Sequence, residues 1–510
     1  MVHNARDIAP MASVGIAAVG LFEHARHIVV IMVAVGKAVG HDKVNHIRGI
    51  EPGPFGCPFG TGFQFVFAGS HYAVTSTNGT TTMYCCGPTV YRDAHVGNLR
   101  TFLLSDLVRR VLTVNGVNVK LIQNITDVGH MSEDIENEDK MLAQAKAESI
   151  DPFTVARKYE AGFHTDLARL NIEKADAYPR ASESIELMLA MIEQLISKDF
   201  AYVGEDGTVY FSAQAFPSYG AISGNRLDAL KPGHRYEYSE DGAKRFHADW
   251  ALWKSAGGRK EMIWDSPWGP GFPGWHIECS AMSLHFLNSH INLHVGGIDL
   301  RFPHHENERA QSNAITGNES VDLWLHGEHL LFEGRKMSKS AGNVVLLKDV
   351  IERGFDPLAV RLCFLENRYR SQMDLTWASI EAADATLKRW RKKIKTWGTQ
   401  IPVKDSEFLE ILDNDLDTPK AIQYLRTLEK NENINNRAAH FLFADQILGL
   451  DLAREEVVSA LSSEQEDILK LRQIARNEKR WADSDELRVK LEQSGLEIMD
   501  GPDGQTWNWR

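Results

Sequence analysis

A chain of 510 residues is too long for one hydrophobic core and implies roughly three or four domains. Hydrophobic residues at 43% and charged residues at 25% are globular proportions, and a net charge of −13 excludes a chain that coats nucleic acid indiscriminately, though not a local basic patch for one partner. Five cysteines, at 57, 85, 86, 279 and 363, are too sparse for a disulfide framework and suit a reducing compartment, where a thiol is a metal ligand or core filler.

Residues 1–75 carry no motif and read as an N-terminal extension. Their most apolar run, Ile28 to Gly36, is nine residues long against the ~20 of a membrane span, and the basic residues before it are misplaced for a signal peptide. A cytoplasmic protein without a membrane segment is expected. Asn78-Gly79 between Tyr72–Thr77 and Thr80–Tyr84 is a two-residue hairpin signal. From Met83 to Arg100 the pattern is strand, loop and helix, with His95-Val96-Gly97-Asn98 at the helix start, where unpaired N–H groups can bind a phosphate. Asn115-Gly116 stops that helix, and Val117, Val119, Leu121 and Ile122 mark a second buried strand. The result is a βαβ unit with polar groups at a strand's carboxyl end, where open α/β sheets bind ligands.

Helical periodicity over Glu133–Leu170 and Ser182–Lys198, then a short strand at Gly207–Phe211, reads as an insertion between two halves of a nucleotide-binding domain. Trp250, Trp253, Trp264, Trp268 and Trp275 crowd one stretch, which predicts a pocket lining. A third strand, Ile291–Val295, precedes Phe302-Pro303-His304-His305-Glu306-Asn307-Glu308. His304 and Glu308 fall four apart on one helical face, a good metal geometry, and Cys86 with Cys279 would complete a set of two thiolates, one imidazole and one carboxylate. His276, Glu278, His305 and Glu306 compete, and spacing does not separate them. Downstream, Lys336-Met337-Ser338-Lys339-Ser340 puts two lysines on a glycine-flanked loop able to close over a triphosphate. The chain then turns helical. Lys388, Arg389, Arg391, Lys392, Lys393 and Lys395 form its densest basic cluster, a candidate RNA footprint. Residues 405–450 read as a bundle, and 462–510 as a helix followed, after Gly495, by a short strand near Met499-Asp500.

These strings carry a resemblance. His95-Val96-Gly97-Asn98 resembles the HIGH signature and Lys336–Ser340 the KMSKS signature of class I aminoacyl-tRNA synthetases, and CGPTVY, GWHIECSAM and FPHHENE are similar to strings of the cysteinyl-tRNA synthetase family. The likeness runs from Met83 to Arg510. Asn98 replaces the signature's last histidine, Cys85 is an extra thiol, and the family's opening strand is not legible ahead of Met83.

The resemblance implies an α/β fold: a split Rossmann-type parallel sheet with an α+β insertion, then a helical bundle and a small C-terminal α/β tail. Its segments would be the extension to 75, a catalytic first half at 76–150, the insertion at 151–248, a second half at 249–345, a stem-contact region at 346–400, the bundle at 401–462 and an anticodon-binding tail at 463–510. It implies ATP-dependent activation of L-cysteine and transfer to tRNA(Cys) by a monomer holding one Zn2+, with Mg2+ accompanying ATP. Catalytic roles would fall to His95, Asn98, Lys336 and Lys339, and ATP contacts to Gly97, Trp324, His326, Gly327 and Lys339. Thr126, Trp275, His294 and Asp299 would surround the amino acid, with zinc on Cys86, Cys279, His304 and Glu308. Arg476, Trp481, Asp485 and Asp500 would read the anticodon, although by composition alone Trp481 is a core anchor and the charges are solvated. The alternatives are the paralogue that joins cysteine to an aminosugar in mycothiol synthesis, and a non-enzymatic RNA-binding descendant.

Overall fold

The computed structural model describes residues 63–67, 70–74, 79–129, 139–231, 243–337, 342–398, 400–454, 461–501 and 504–509. Strands β1 (Phe63–Phe67) and β2 (Ser70–Val74) pair antiparallel with each other. The expected βαβ unit follows as β3 (Thr80–Cys85), α1 (Val96–Val114) and β4 (Asn118–Gln123), with Met83, Tyr84 and Cys85 in register with Leu121, Ile122 and Gln123. Leu99, Phe102, Leu103, Leu107, Val108, Val111 and Leu112 of α1 are buried in the main core. Helices α2 (Lys140–Glu148) and α3 (Pro152–Arg169) add Met141, Val155, Phe163 and Leu167 to that core. The Asp151 side chain and Pro152 open α3, an acceptor for unpaired N–H groups followed by a residue that lacks one.

Helix α4 (Ile185–Ser197) precedes an antiparallel sheet of β5 (Ala201–Val203), β6 (Val209–Phe211), β7 (Trp250–Ser255) and β8 (Gly271–Pro273), ordered β5-β6-β7-β8. Trp250 and Trp253, expected to line a pocket, are the core of this layer, with Trp250 stacked 4.4 Å from Phe211. A short four-stranded sheet has few side chains with which to bury area, and indoles supply it. Helix α5 (Trp275–Phe286), β9 (Ile291–Gly297), α6 (His304–Thr316) and β10 (Val321–Gly327) follow and supply the remaining two strands of the main sheet. Ile277, Met282, Ala310 and Ala314 of the two helices join the same second core.

The main sheet is parallel throughout and ordered β10-β9-β3-β4, so its carboxyl ends open at one edge. Among the described residues the strands flanking Asn78-Gly79 do not pair with each other as the hairpin expectation required: β2 pairs with β1, while β3 bonds to β4 and β9. Thr81, Met83, Tyr84 and Cys85 are all buried, which demands a strand covered on both faces. Asn78 itself lies outside the described residues. The strand expected at Thr80–Tyr84 is present as β3, one residue longer at its end.

A small sheet of β11 (Leu330–Phe332), β12 (Arg335–Lys336) and β13 (Met373–Leu375) has β11 at its centre, with α7 (Leu347–Glu352) and α8 (Pro357–Leu365) between its strands in sequence. The bundle comprises α9 (Trp377–Trp397), α10 (Ser406–Asp413), α11 (Thr418–Lys430) and α12 (Arg437–Leu448). Fully buried Arg361 ties it to α1, donating to Leu448 O at 2.5 Å, Leu170 O at 2.9 Å and Asp106 at 2.6 Å. Most of the basic run on α9 is engaged internally. Arg391 is buried and donates to Asp356 at 2.6 Å and Leu450 O at 3.0 Å, while Arg389 and Lys393 lie 2.9 and 3.2 Å from Glu429 and Lys388 lies 2.9 Å from Asp384.

The tail packs α13 (Ser463–Asn477), α14 (Trp481–Gln493), β14 (Leu496–Gly501) and β15 (Gly504–Trp509) around Leu469, Leu491, Leu496 and Ile498. One helix and one strand were expected; Lys479 at a φ of +60° breaks the helix in two, and the strand gains a partner. Among the described residues no helix is long and apolar enough to cross a membrane.

Candidate active site and metal centre

The carboxyl edge of the parallel sheet gathers the expected donors. Cys86 leaves β3 with its N–H donated to Val295 O at 3.1 Å, and His294 of β9 sits in register between Tyr84 and Trp324. Helix α5 presents Cys279, and the first turns of α6 present His304, His305 and Glu308. His304 Nε2 lies 3.0 Å from Glu308 Oε1, the one-face geometry that their spacing predicts. Cys86 Sγ is 3.9 Å from Cys279 Sγ and 3.5 Å from Glu308 Oε1. Donor atoms of these four buried residues all lie within 4.8 Å of one another. Glu308 Oε2 is buried without a hydrogen-bond partner among the described residues, and two thiols with an imidazole and a carboxylate form a donor set that fits zinc.

The structure sorts the four competitors. His276 stands behind His304 with the two Nδ1 atoms 2.9 Å apart, Glu278 accepts from Thr126 Oγ1 at 2.9 Å, and Glu306 accepts from the N–H groups of Ile222 and Ser223 at 3.1 and 2.9 Å. His305 remains in contention, its Nε2 3.4 Å from Cys86 Sγ. Burial pushes the Cys86 thiol up, while the hydrogen bond from Cys86 lowers Cys279. Burial alone would depress His304, but the Glu308 carboxylate and Cys279 raise it to about 10, so an arriving cation must displace that proton. Burial holds His294 down at about 4 and His305 well below its usual range, which leaves both as neutral imidazoles.

The start of α1, which follows β3, lies at the same carboxyl edge of the sheet. His95 Nδ1 accepts from Asn98 N and Asn98 Oδ1 accepts from His95 N, each at 3.2 Å, a reciprocal cap that assigns the imidazole proton to Nε2. Burial, then the charge of Arg92, lowers His95 to about 4, so at neutral pH the imidazole is uncharged and carries its one proton on Nε2. A Cβ on Gly97 would fall 2.9 Å from Met337 Cε and 3.0 Å from the His95 ring. The methionine of the lysine loop thus packs on the signature glycine, a contact no sequence period announces. Val96 N donates to Val345 O at 3.0 Å and His95 bridges Leu346, binding the far side of that loop to the same helix start. Lys336 is exposed on β12, and Lys339 lies outside the described residues.

Trp275 lies with its ring 4.4 Å from that of His304, and Thr126 is buried against Glu278. Asp299 is exposed in the turn after β9, where a Cβ on Gly297 would come within 2.4 Å of its Oδ1. Trp324 and His326, given to the adenine side by resemblance, stand against the imidazoles. Trp324 stacks 4.4 Å from His294, and His326 Nε2 is 2.9 Å from His305 Nδ1. Gly327 closes β10, buried near Leu104.

In the tail, Trp481 is 56% exposed, which overturns the core-anchor reading, and the Arg476 guanidinium sits 5.9 Å from its ring centroid. Asp485 is exposed. Asp500 meets Arg472 at 2.9 Å and Arg476 at 3.0 Å, with Arg488 at 3.8 Å. Arg472 was missed in the sequence, although its spacing of four from Arg476 was the available signal.

Residues 72–385 match the tRNA synthetases class I (C) catalytic domain, and residues 458–507 match the cysteinyl-tRNA ligase anticodon binding domain. The cysteine–tRNA ligase of Thermus thermophilus is 40% identical over 456 residues, covering 83% of this chain and 94% of that one. That of Deinococcus radiodurans is 38% identical over 473 residues, covering 85% and 93%. Among solved structures, methionyl-tRNA synthetase of Mycobacterium tuberculosis with methionyl-adenylate superposes with a TM-score of 0.50 at 15% identity, over 72% of this chain and 89% of that one, a likeness of fold. With a matched catalytic domain, a matched anticodon domain and relatives spanned nearly end to end, the chain belongs to the cysteine–tRNA ligase family of class I aminoacyl-tRNA synthetases.

Proposed function

We propose that the protein activates L-cysteine with ATP and transfers the cysteinyl group to the 3′ end of tRNA(Cys). The observation that carries this reading is the buried Cys86, Cys279, His304 and Glu308 set at the carboxyl edge of the sheet, the edge at which the His95–Asn98 helix start also lies. In the first step the cysteine carboxylate attacks the α-phosphorus and pyrophosphate leaves; in the second a ribose hydroxyl takes the cysteinyl group and AMP leaves. Such phosphoryl chemistry needs charge stabilisation and positioning more than proton transfer. His95 donates from Nε2 to the phosphates, Asn98 fixes its ring, and Gly97 admits the nucleotide to the helix start. Lys336 and Lys339 bring positive charge over the triphosphate, with Mg2+ as its counterion. Trp324, His326 and Gly327 bound the nucleotide side, and Thr126, Trp275, His294 and Asp299 bound the amino acid.

Zinc on Cys86, Cys279, His304 and Glu308 would supply a thiol-selective ligand position, because a coordinated thiol loses its proton where an alcohol does not readily do so. A pocket relying on shape alone separates near-isosteres by only ~1–3 kcal/mol. Arg476, Trp481, Asp485 and Asp500 would read the anticodon. The matched anticodon domain favours tRNA over an aminosugar as acceptor. The test is ATP–pyrophosphate exchange with cysteine and with serine, then charging of tRNA(Cys), using the full chain. Exchange with cysteine alone, followed by charging, is the expected result. Cysteinylation of an aminosugar without charging of tRNA would transfer the assignment to the paralogue.

A further inference from the structure

The metal cage contains a second donor set that overlaps the first. Zinc–ligand bonds of ~2.0–2.3 Å at tetrahedral angles separate neighbouring donors by ~3.3–3.8 Å. Cys86 Sγ lies 3.3 Å from His294 Nε2, 3.4 Å from His305 Nε2 and 3.5 Å from Glu308 Oε1. His294 Nε2 is 3.7 Å from Glu308 Oε2, and His305 Nε2 is 4.0 Å from Glu308 Oε1. Cys86, His294, His305 and Glu308 therefore converge as closely as the set with Cys279 and His304, and all are buried.

The surroundings of the two sets are also alike. Behind His304 stands His276, Nδ1 to Nδ1 at 2.9 Å, and behind His305 stands His326, Nδ1 to Nε2 at 2.9 Å. Such partners hold an imidazole in its ligating orientation. Each set also has an indole at 4.4 Å, Trp275 on His304 and Trp324 on His294. We infer that the cage can hold a divalent transition-metal ion in either of two sets sharing Cys86 and Glu308, the second completed by His294 and His305 in place of Cys279 and His304. The proposal rests on the reading of the first set as the resting zinc site.

Two thiolates make the first set the softer one, so zinc prefers it, while one thiolate with two imidazoles makes the second a weaker reserve. An ion in the reserve set occupies His294, one of the residues proposed to surround the amino acid, and is unproductive. Loss of Cys279 or His304 should consequently abolish cysteine-dependent exchange while leaving metal in the protein.

The test is metal analysis of full-length variants after gel filtration, with cobalt absorption as a second readout. Wild type, Cys279→Ala and His304→Ala should each retain ~1 equivalent of zinc, and Cys86→Ala, Glu308→Ala and the double variant Cys279→Ala/His294→Ala should fall well below it. Cobalt-loaded Cys279→Ala should show a weaker thiolate charge-transfer band than wild type, one thiolate having replaced two. If Cys279→Ala and His304→Ala are as empty as Cys86→Ala while their circular dichroism matches wild type, the second set is overturned and the first stands. If wild type is itself free of metal, both fall. Should Cys279→Ala not fold, His304→Ala decides.

Discussion

His95 shows how one side chain can be read for charge as well as position. It titrates at about 4 in the folded chain, against about 6.5 for an unfolded histidine. Below about pH 6.5 the unfolded chain takes up a proton that the folded one refuses, so this contribution to stability is full above that value and is lost as the pH falls toward 4. His95→Asn should flatten the fall of the urea midpoint over that window and slow pyrophosphate exchange by ~10²-fold. An unchanged slope would remove His95 as its source. Lys339→Ala should slow exchange by ~10²–10³-fold with zinc content intact, since its charge is needed most in the transition state. Normal turnover would make that lysine dispensable. The donor cluster proposed for zinc was partly legible, because the spacing of His304 and Glu308 fixes a shared helical face. His305 and His294 were not resolved as reserve donors, because the sequence gives no distance between a strand and a helix end.

At the scale of elements, local chemistry was read well and pairing less so. Helix α1, with its cap at His95 and its stop at Asn115-Gly116, is written in adjacent residues, as is α8 behind Asp356 and Pro357. Strand partners depend on distant residues, and Asn78-Gly79 carries a hairpin signal that the parallel sheet overrides. The tryptophans at 250 and 253 went to a core because aromatic density alone does not say which side is wet. The joint between α1 and α12 offers a test. Gly449 caps α12 at a φ of +61°, and a Cβ there would lie 2.6 Å from the Arg361 guanidinium. Gly449→Ala should destabilise the full chain by about 1–3 kcal/mol in urea melts, through left-handed strain and displacement of a buried cation. A loss within error would mean that Arg361 moves aside freely.

For the whole molecule, the division of labour between catalytic sheet and tail sets the outcome of truncation. Deleting 463–510 removes a unit with its own core of Leu469, Leu491, Leu496 and Ile498, so cysteine-dependent exchange should stay near wild type while tRNA charging falls by orders of magnitude. Equal charging by the truncated protein would end the anticodon role. The tail's architecture was only half visible in the sequence, because the break at Lys479 needs a backbone conformation that no residue type there advertises. Its carboxylate at Asp500 has a consequence for selectivity as well. One anion stands among Arg472, Arg476 and Arg488, and so restrains a cluster that would otherwise attract any polyphosphate backbone. Asp500→Asn should therefore bind non-cognate RNA more tightly at low salt, with a steeper decline of affinity as salt rises. The acidic residue, on this view, serves as a brake on indiscriminate counterion release, and the tail gains discrimination by giving up affinity.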